Sequence, residues 1–514
     1  MANIFPCPSC GGQLVYNIKT KEMKCRSCGS SFPADGYQSK EFNSEREVVS
    51  CPNCGGEVAA PSLDGMNFCP YCGSEITNAE HFSKKGYPEY IIPFGISKKR
   101  TIKIYKDMVK KVPFLPDDLK TDEGLKSFVG LYTPYWIYNF EGNGSVTLPV
   151  SKTESRGEYT YNYTADISSD LNCGLSVGID ASQTLDDTVS EKVEPFYYEK
   201  LEKFNPNYMA GFYAENSTVK PSIYKDVSYD KAGEAIFGRL EDEAESHGGY
   251  TISGGYNDVT GKIKSHLTRS EKKCTGAYLP LWFLTTKKND RVAYTVINGQ
   301  TGASYSDLPV DIPKYIRGSL ILSAAIAVVL MTLFAVFGTL DMGKIPYITM
   351  ILSSIMMIAA SVQANRIYRK ENHLDDIGYD PKTAKEKAKK RNPKADKRMK
   401  TLIPVTVTGI IMITSGIGAY IIWLLAIAAV IVMLAKARGS ASWTAVLAGI
   451  GIIMSAGVII TAPADDIILY GLMTATLAIL ILDAVKLTKD YNKIATNPLP
   501  QFGKKEGHLN EKYN

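Results

Sequence analysis

Four Cys-x-x-Cys pairs lie within the first 72 residues, and they restrict the fold of this end of the chain more than any other feature. Cys7-Pro-Ser-Cys10 is followed by Cys25-Arg-Ser-Cys28, and Cys51-Pro-Asn-Cys54 by Cys69-Pro-Tyr-Cys72, with 14 residues between the inner cysteines of each set. Glycine follows every pair, at Gly11, Gly29, Gly55 and Gly73. Two thiolates three residues apart on a tight turn can hold one ion, and the glycine admits the positive φ that turns backbone N–H groups toward sulfur. Two such turns complete a tetrahedral four-sulfur site.

The pattern predicts a duplicated zinc ribbon: ribbon 1 over residues 1–33, a linker over 34–48, and ribbon 2 over 49–80. Two structural Zn2+ ions are expected, one on Cys7, Cys10, Cys25 and Cys28 and one on Cys51, Cys54, Cys69 and Cys72, and iron suits the same donors. Four thiolates close the coordination shell, so the role is structural rather than catalytic. No βαβ context follows the pairs, which argues against a thioredoxin-like redox motif. Cys173 and Cys274 stand apart and read as inert reduced thiols.

The last third carries the other strong signal. Ser319–Leu340, Pro346–Asn365, Leu402–Ala435, Trp443–Ala462 and Ile467–Val485 hold almost no charge, and about 20 such residues cross a hydrocarbon core of about 30 Å. Ser415-Gly416-Ile417-Gly418 divides the longest run in two, so residues 317–487 are expected to form an all-α polytopic membrane domain of six helices. The loop 366–400 carries 13 Lys/Arg against 6 Asp/Glu, and basic loops stay cytoplasmic. That places both termini, including the tail 488–514, on the cytoplasmic side of a multi-pass cell-membrane protein and makes membrane lipids a partner. The mean hydropathy of −0.09 then averages a soluble and a membrane part, and the net charge of +5 sits mainly in that loop. Met1–Cys7 lacks a basic region followed by an apolar one, so no signal peptide is expected.

Between these ends, residues 81–316 read as a cytoplasmic α+β domain. Tyr90–Phe94 suggests a strand, Lys98–Lys111 a basic amphipathic helix, Ser228–His247 a second helix, and Asn298-Gly299 a hairpin turn. The domain contains an echo: Gly130-Leu-Tyr132-Thr-Pro134-Tyr-Trp136 and Gly276-Ala-Tyr278-Leu-Pro280-Leu-Trp282 share G-x-Y-x-P-x-W. Both copies are expected to start core strands, with proline at an edge or first position.

The double Cys-x-x-Cys-Gly ribbon, Ile91–Phe94, Leu131–Trp136, Asn205-Pro-Asn-Tyr-Met-Ala-Gly-Phe212 and Val296–Gly302 together resemble the bacterial membrane-anchored double zinc-ribbon proteins, whose ribbons are rubredoxin-like. The resemblance covers about residues 1–316 and implies the eight cysteines as metal ligands and no catalytic group. Some members occur with phage-shock-type membrane-stress systems, and others carry a primosomal helicase-like label. No G-x-x-x-x-G-K-[S/T] cradle for phosphate is present, so the helicase label finds no support in the residues. Metalloprotease and serine-hydrolase motifs are absent, and His81, His247, His266, His373 and His508 are dispersed. Residues 1–80 are net acidic, which disfavours nucleic acid as a partner. The resulting expectation is a non-enzymatic membrane protein whose ribbons and α+β domain recruit protein partners, with envelope stress as the setting implied by the resemblance. Two alternatives from other classes are a transporter or channel regulated by the ribbons, and a membrane-tethered nucleic-acid-binding protein. Partner identity and oligomeric state are left open by the residues.

Overall fold

A computed structural model of the chain describes residues 5–37, 45–51, 57–59, 69, 71, 82–120, 128–182, 185, 187–254, 256–269, 274–288, 291–319, 321, 345–371, 376, 427–428, 430–434, 441–461, 466–495 and 497–498. The first ribbon is a three-stranded sheet in which β1 (Leu14–Asn17) pairs with β2 (Glu22–Cys25) and β2 with β3 (Ser31–Pro33). Period-two alternation turns Leu14, Tyr16, Met23 and Cys25 inward, where all four are buried. The second cysteine region contributes β4 (Glu45–Ser50) and β5 (Glu57–Ala59), followed by β6 (Phe82–Gly86). These strands extend the main sheet, with Ala59 opposite Ala214, and β4 begins inside the stretch that reads as a linker.

The central domain runs through β7 (Tyr90–Ile91), α1 (Lys98–Lys110), β8 (Val129–Gly142), β9 (Ser145–Arg156), β10 (Tyr159–Asp170), β11 (Gly174–Asp180) and α2 (Asp187–Lys192). It continues with β12 (Glu202–Lys203), β13 (Tyr213–Glu215), α3 (Lys225–Ser246), β14 (Thr251–Ile252), α4 (Tyr256–Ser265) and β15 (Leu267–Arg269), then β16 (Thr275–Lys288), β17 (Arg291–Asn298) and β18 (Ser304–Ser306). Among the described residues the main sheet runs β12-β7-β16-β8-β13-β5-β4-β6, and a smaller sheet runs β10-β9-β14.

The two G-x-Y-x-P-x-W stretches are the central strands β8 and β16, and they pair with each other. Gly130 lies opposite Trp282, Tyr132 opposite Pro280, Pro134 opposite Tyr278 and Trp136 opposite Gly276, so the repeats are related by a local two-fold at the Thr133–Leu279 pair. The prolines thus occupy mid-strand positions rather than a first position or an edge strand. Pro134 falls between the residues of β8 that pair with β13 (131–132) and with β11 (135–141), and Pro280 between those of β16 that pair with β7 (277–278) and with β17 (281–288). Each proline carbonyl faces outward to accept an N–H, from Ala181 and Gly299 respectively, both at 2.8 Å. Since N–H and C=O of an antiparallel residue point the same way, the missing N–H falls in a gap between outer ladders and costs no bond between β8 and β16. The motif aromatics spend their polar ends on backbone: Trp136 Nε1 donates to Val219 O, Trp282 Nε1 to Ile96 O, Tyr132 Oη to Tyr208 O and Tyr278 Oη to Glu215 O. They are core residues.

The six-helix membrane domain is corrected by the structure. Among the described residues one helix, Ile467–Lys489, is long and apolar enough to cross a membrane, and Trp443–Gly457 is apolar but shorter. Ser319–Leu340 and most of Leu402–Ala435 lie outside the described residues. The described helices are α5 (Ile345–Glu371), α6 (Ala441–Thr461) and α7 (Asp466–Ala495), which pack together. Part of the apolar signal is therefore helix-to-helix core: Met350, Met357 and Ala364 of α5 and Ala445, Ala448 and Ile452 of α6 are buried. A Cβ on Gly451 would come within 2.4 Å of Met357 Sδ, so the glycine permits this close approach. Hydropathy alone does not separate such packing from exposure to lipid. With one candidate span among the described residues, the multi-pass topology with both termini inside is not supported. Asp483 of α7 is fully buried.

The helices are tied to the sheet rather than segregated from it. Lys370, in the last turn of α5, pairs with Asp307 and donates to Tyr305 Oη at 2.9 Å, so the first residues of the expected basic loop are helical and docked. Asn492 of α7 accepts the Val310 N–H and donates to its carbonyl, both at 2.8 Å, and β19 (Asn497–Pro498) pairs with the start of β17.

Asn298 holds the end of β17. Its buried amide donates to Val193 O and Pro195 O and accepts the N–H groups of Gln300 and Thr301. Asn298→Ala removes these four bonds and is expected to destabilise the central domain by about 2–4 kcal/mol. A thermal midpoint matching that of the unaltered protein would contradict this accounting.

Candidate metal centre

The first ribbon brings four sulfurs together. The ligand atoms of Cys7, Cys10, Cys25 and Cys28 all lie within 4.8 Å of one another, with Cys7 and Cys28 Sγ 3.7 Å apart and Cys10 and Cys25 Sγ 3.5 Å apart. Those separations far exceed a disulfide's ~2.05 Å. They match the ~3.8 Å edge of a tetrahedron with metal–sulfur bonds of about 2.3 Å. The residues fit a four-thiolate ion, and zinc suits a closed set of this kind.

Local sequence explains why the chain turns this way. Gly11 and Gly29 adopt φ of +69° and +79°, and the Gly11 and Gly29 N–H groups close back on the carbonyls of Cys7 and Cys25. Gly12 N lies 3.4 Å from Cys10 Sγ, and Ser27 N lies 3.4 Å from Cys25 Sγ. Gly12 has a second constraint, since a Cβ there would lie 2.5 Å from Ser27 Oγ.

The sulfurs are electrostatically unequal. The Ser30 hydroxyl, 3.2 Å from Cys28 Sγ, and the Ser30 N–H together hold the Cys28 pKa down, at about 6. The Cys28 N–H lowers Cys25, helped by that of Ser27. Cys10 receives the Gly12 N–H, which acts downward, but the Cys28 and Cys25 thiols outweigh it and push Cys10 up to about 12. Cys28 thus offers a metal ion a thiolate well below the ordinary thiol range.

The ribbon sits on the central domain through Asn205–Phe212, a motif whose role was not legible in the sequence. Asn207 Nδ2 donates to Ala34 O at 2.6 Å and Tyr37 O at 2.7 Å, and Tyr16 N donates to Ala210 O. The Tyr208 ring meets the Tyr16 ring edge-on at 5.2 Å, and Gly211, at φ +90°, leaves room for Val15. Phe5, Leu14, Met23 and Cys25 consequently share one core with Phe94, Tyr132 and Phe212.

The second set of cysteines is described in part. Cys51 and Cys69 are buried in one cluster with Ile92, Leu131 and Leu279, while Cys54 and Cys72 lie outside the described residues. Among the described residues the structure assembles one metal site. Elsewhere, His247 and His266 bond to the Glu243 and Asn143 carbonyls, and His81, His373 and His508 lie outside the described residues. Burial pushes the Cys274 thiol up to about 11, and Cys173 Sγ lies 3.4 Å from Arg239 Nη1.

This geometry defines a zinc-ribbon-type, metal-binding N-terminal unit, and the Trm112p-like protein family model matches residues 1–35. Over 321 residues, which is 60% of this chain and 90% of the relative, the chain is 25% identical to the Uncharacterized protein YdjG of Bacillus subtilis (strain 168). No solved structure matches the chain.

A thiolate ligand must be deprotonated. The Cys28 pKa is depressed, so its thiolate is fully favoured above the ordinary thiol range near 9 and is lost as pH falls through about 6. Metal release to a chromophoric chelator is expected to rise as pH drops below that value, where protons compete with the ion for the sulfur. Ser30→Ala should move the release midpoint toward neutral pH, and an unmoved midpoint would argue against the hydroxyl's part.

Proposed function

We propose that this chain is a non-enzymatic, membrane-attached protein that uses its metal-stabilised ribbon and central domain to bind a protein partner at the membrane surface. The observation that carries the membrane part is the exposure of the apolar helix: only 17% of the 18-residue window in Ile467–Lys489 is buried. A core helix of a soluble domain would be mostly buried. Ile467, Ile468, Ile481 and Leu482 of α7 are exposed, as are Trp443 and Ile450 of α6 and Leu352 and Met356 of α5. Exposed apolar side chains on three packed helices support contact with lipid or protein.

The closed four-sulfur set supports a structural role for the metal, because no coordination position is left for substrate or water. The net acidic character of residues 1–80 favours a protein ligand over nucleic acid. A second ion on Cys51, Cys54, Cys69 and Cys72 belongs to this reading, since the spacing repeats that of the first set.

Two measurements test the proposal. The full chain should remain with membranes after alkaline carbonate washing, whereas a chain ending before Asp466 should be released; equal release of both would overturn the attachment. Metal analysis of the purified protein should give two ions per chain, and one ion would restrict the metal to the first ribbon. Partner binding is tested by comparing what co-purifies from membranes with the unaltered protein and with Cys25→Ser. A partner retained equally by both would remove the ribbon from the interaction.

A further inference from the structure

The β9–β10 hairpin serves no site described so far, and its outer strand is open. Twelve residue pairs join the two strands, from Tyr159 opposite Arg156 to Asp170 opposite Ser145. β14 covers part of the far edge of β9, but among the described residues nothing pairs with the far edge of β10. Both faces are exposed from Ser155 to Asp166.

Backbone direction follows from the turn. Gly157 and Glu158 form a two-residue loop with Gly157 at φ +63°, and such loops close on a hydrogen-bonded pair, here Arg156 and Tyr159. Alternation then aims the N–H and C=O groups of Tyr159, Tyr161 and Tyr163 at β9 and those of Thr160, Asn162, Thr164 and Asp166 at the open edge. Folded proteins usually protect such an edge with lysine, proline or a bulge. Residues 159–165 (Tyr-Thr-Tyr-Asn-Tyr-Thr-Ala) carry none of these and no charge.

We propose that β10 is a dimerisation edge, which joins antiparallel to β10 of a second copy of this chain. An antiparallel pairing about a two-fold at Asn162 sets Thr160 of one copy opposite Thr164 of the other and Tyr161 opposite Tyr163. The tyrosine pairs fall at non-hydrogen-bonded positions, where Cα atoms approach to about 4.5 Å and side chains meet most closely. No like charges oppose each other within 160–164. The charges beside the tyrosines are already engaged within each copy, because Glu154 binds both Lys152, at 2.5 Å, and Arg156, at 3.0 Å. An isologous contact satisfies both open edges at once and closes, leaving no free edge to propagate a fibre. A second copy fits the observations better than a foreign strand for that reason: the segment is its own complement.

The test uses the full chain in detergent and reads protein mass by light scattering, where the expected result is twice 56.4 kDa. Asn162→Pro removes an N–H aimed at the open edge and the Oδ1 that accepts the Thr153 hydroxyl, but no backbone bond of the ladder to β9, so it should convert the dimer to a monomer with metal content unchanged. Thr164→Lys should do the same through charge. Asn162→Cys sets two thiols across the two-fold at a Cα separation of about 5.5 Å, within disulfide range, so mild oxidation should give a covalent dimer absent from the unaltered protein. A monomeric unaltered chain at micromolar concentration would overturn the proposal. So would a dimer that survives both Asn162→Pro and Thr164→Lys, which would assign association to another surface and leave β10 to a foreign strand.

Discussion

The pairing of β8 with β16 about Thr133 and Leu279 is the contact on which the rest of the fold depends. Along the repeat each of the two strands has the other on its inner side and two partners on its outer side, with a proline in the gap between those two, and β15 joins β8 beyond the repeat. The sheet can therefore branch at Pro134 and at Pro280 without leaving a buried donor unpaired, which would cost on the order of 1–3 kcal/mol. Two glycines complete the arrangement. A Cβ on Gly130 would come within 2.5 Å of Phe212, and one on Gly299, beside Pro280, within 2.6 Å of Phe94. Phe94 and Phe212 stack at 4.3 Å between these glycines and close the core beneath the ribbon seat.

Metal binding and tertiary structure are joined through that seat. A ribbon of some thirty residues buries little apolar surface by itself, and its metal supplies folding free energy that the chain lacks. Here the small core of the ribbon is continuous with that of the central domain, and Asn207 ties the segment following β3 to the loop before β13. Losing the ion therefore exposes a face of the central domain as well as the ribbon. The second cysteine region follows a different course, since β4 and β5 extend the main sheet and Cys51 and Cys69 are buried against it.

How far the sequence could be read depended on how local each signal was. The Cys-x-x-Cys-Gly turns of the first ribbon are set by neighbouring residues, and Gly11 and Gly29 adopt the positive φ that the spacing calls for. Helix α1 and helix α3 were legible to within a few residues, because amphipathic periodicity and the polar flanks act over one or two turns. The G-x-Y-x-P-x-W repeat was visible as two strands, but their pairing was not, since it joins residues 146 positions apart and places proline where a single strand would exclude it. The seat at Asn205–Phe212 had no local signal at all. The apolar C-terminal runs were the most misleading, because Met357, Ala445 and Ala448 face other helices while Ile467 and Trp443 are exposed, and both groups look alike in a hydropathy window.

The docking of α7 has a mechanical consequence. The helix holds thirty residues, about 45 Å at 1.5 Å per residue, and its attachments to the sheet cluster at one end. Asn492 bonds both backbone groups of Val310 as a neighbouring strand would, Tyr491 reaches the Leu308 carbonyl, and β19 then runs against β17. These bonds, with the Lys370–Asp307 pair of α5, make a clamp, and the packed helices α5, α6 and α7 the lever arm. A tilt of a few degrees at the clamp sweeps the far tip by several ångströms, and a push on the tip returns to the β17–β18 edge as torque. A displacement of the packed helices is thereby geared directly to the sheet on which the metal ribbon sits.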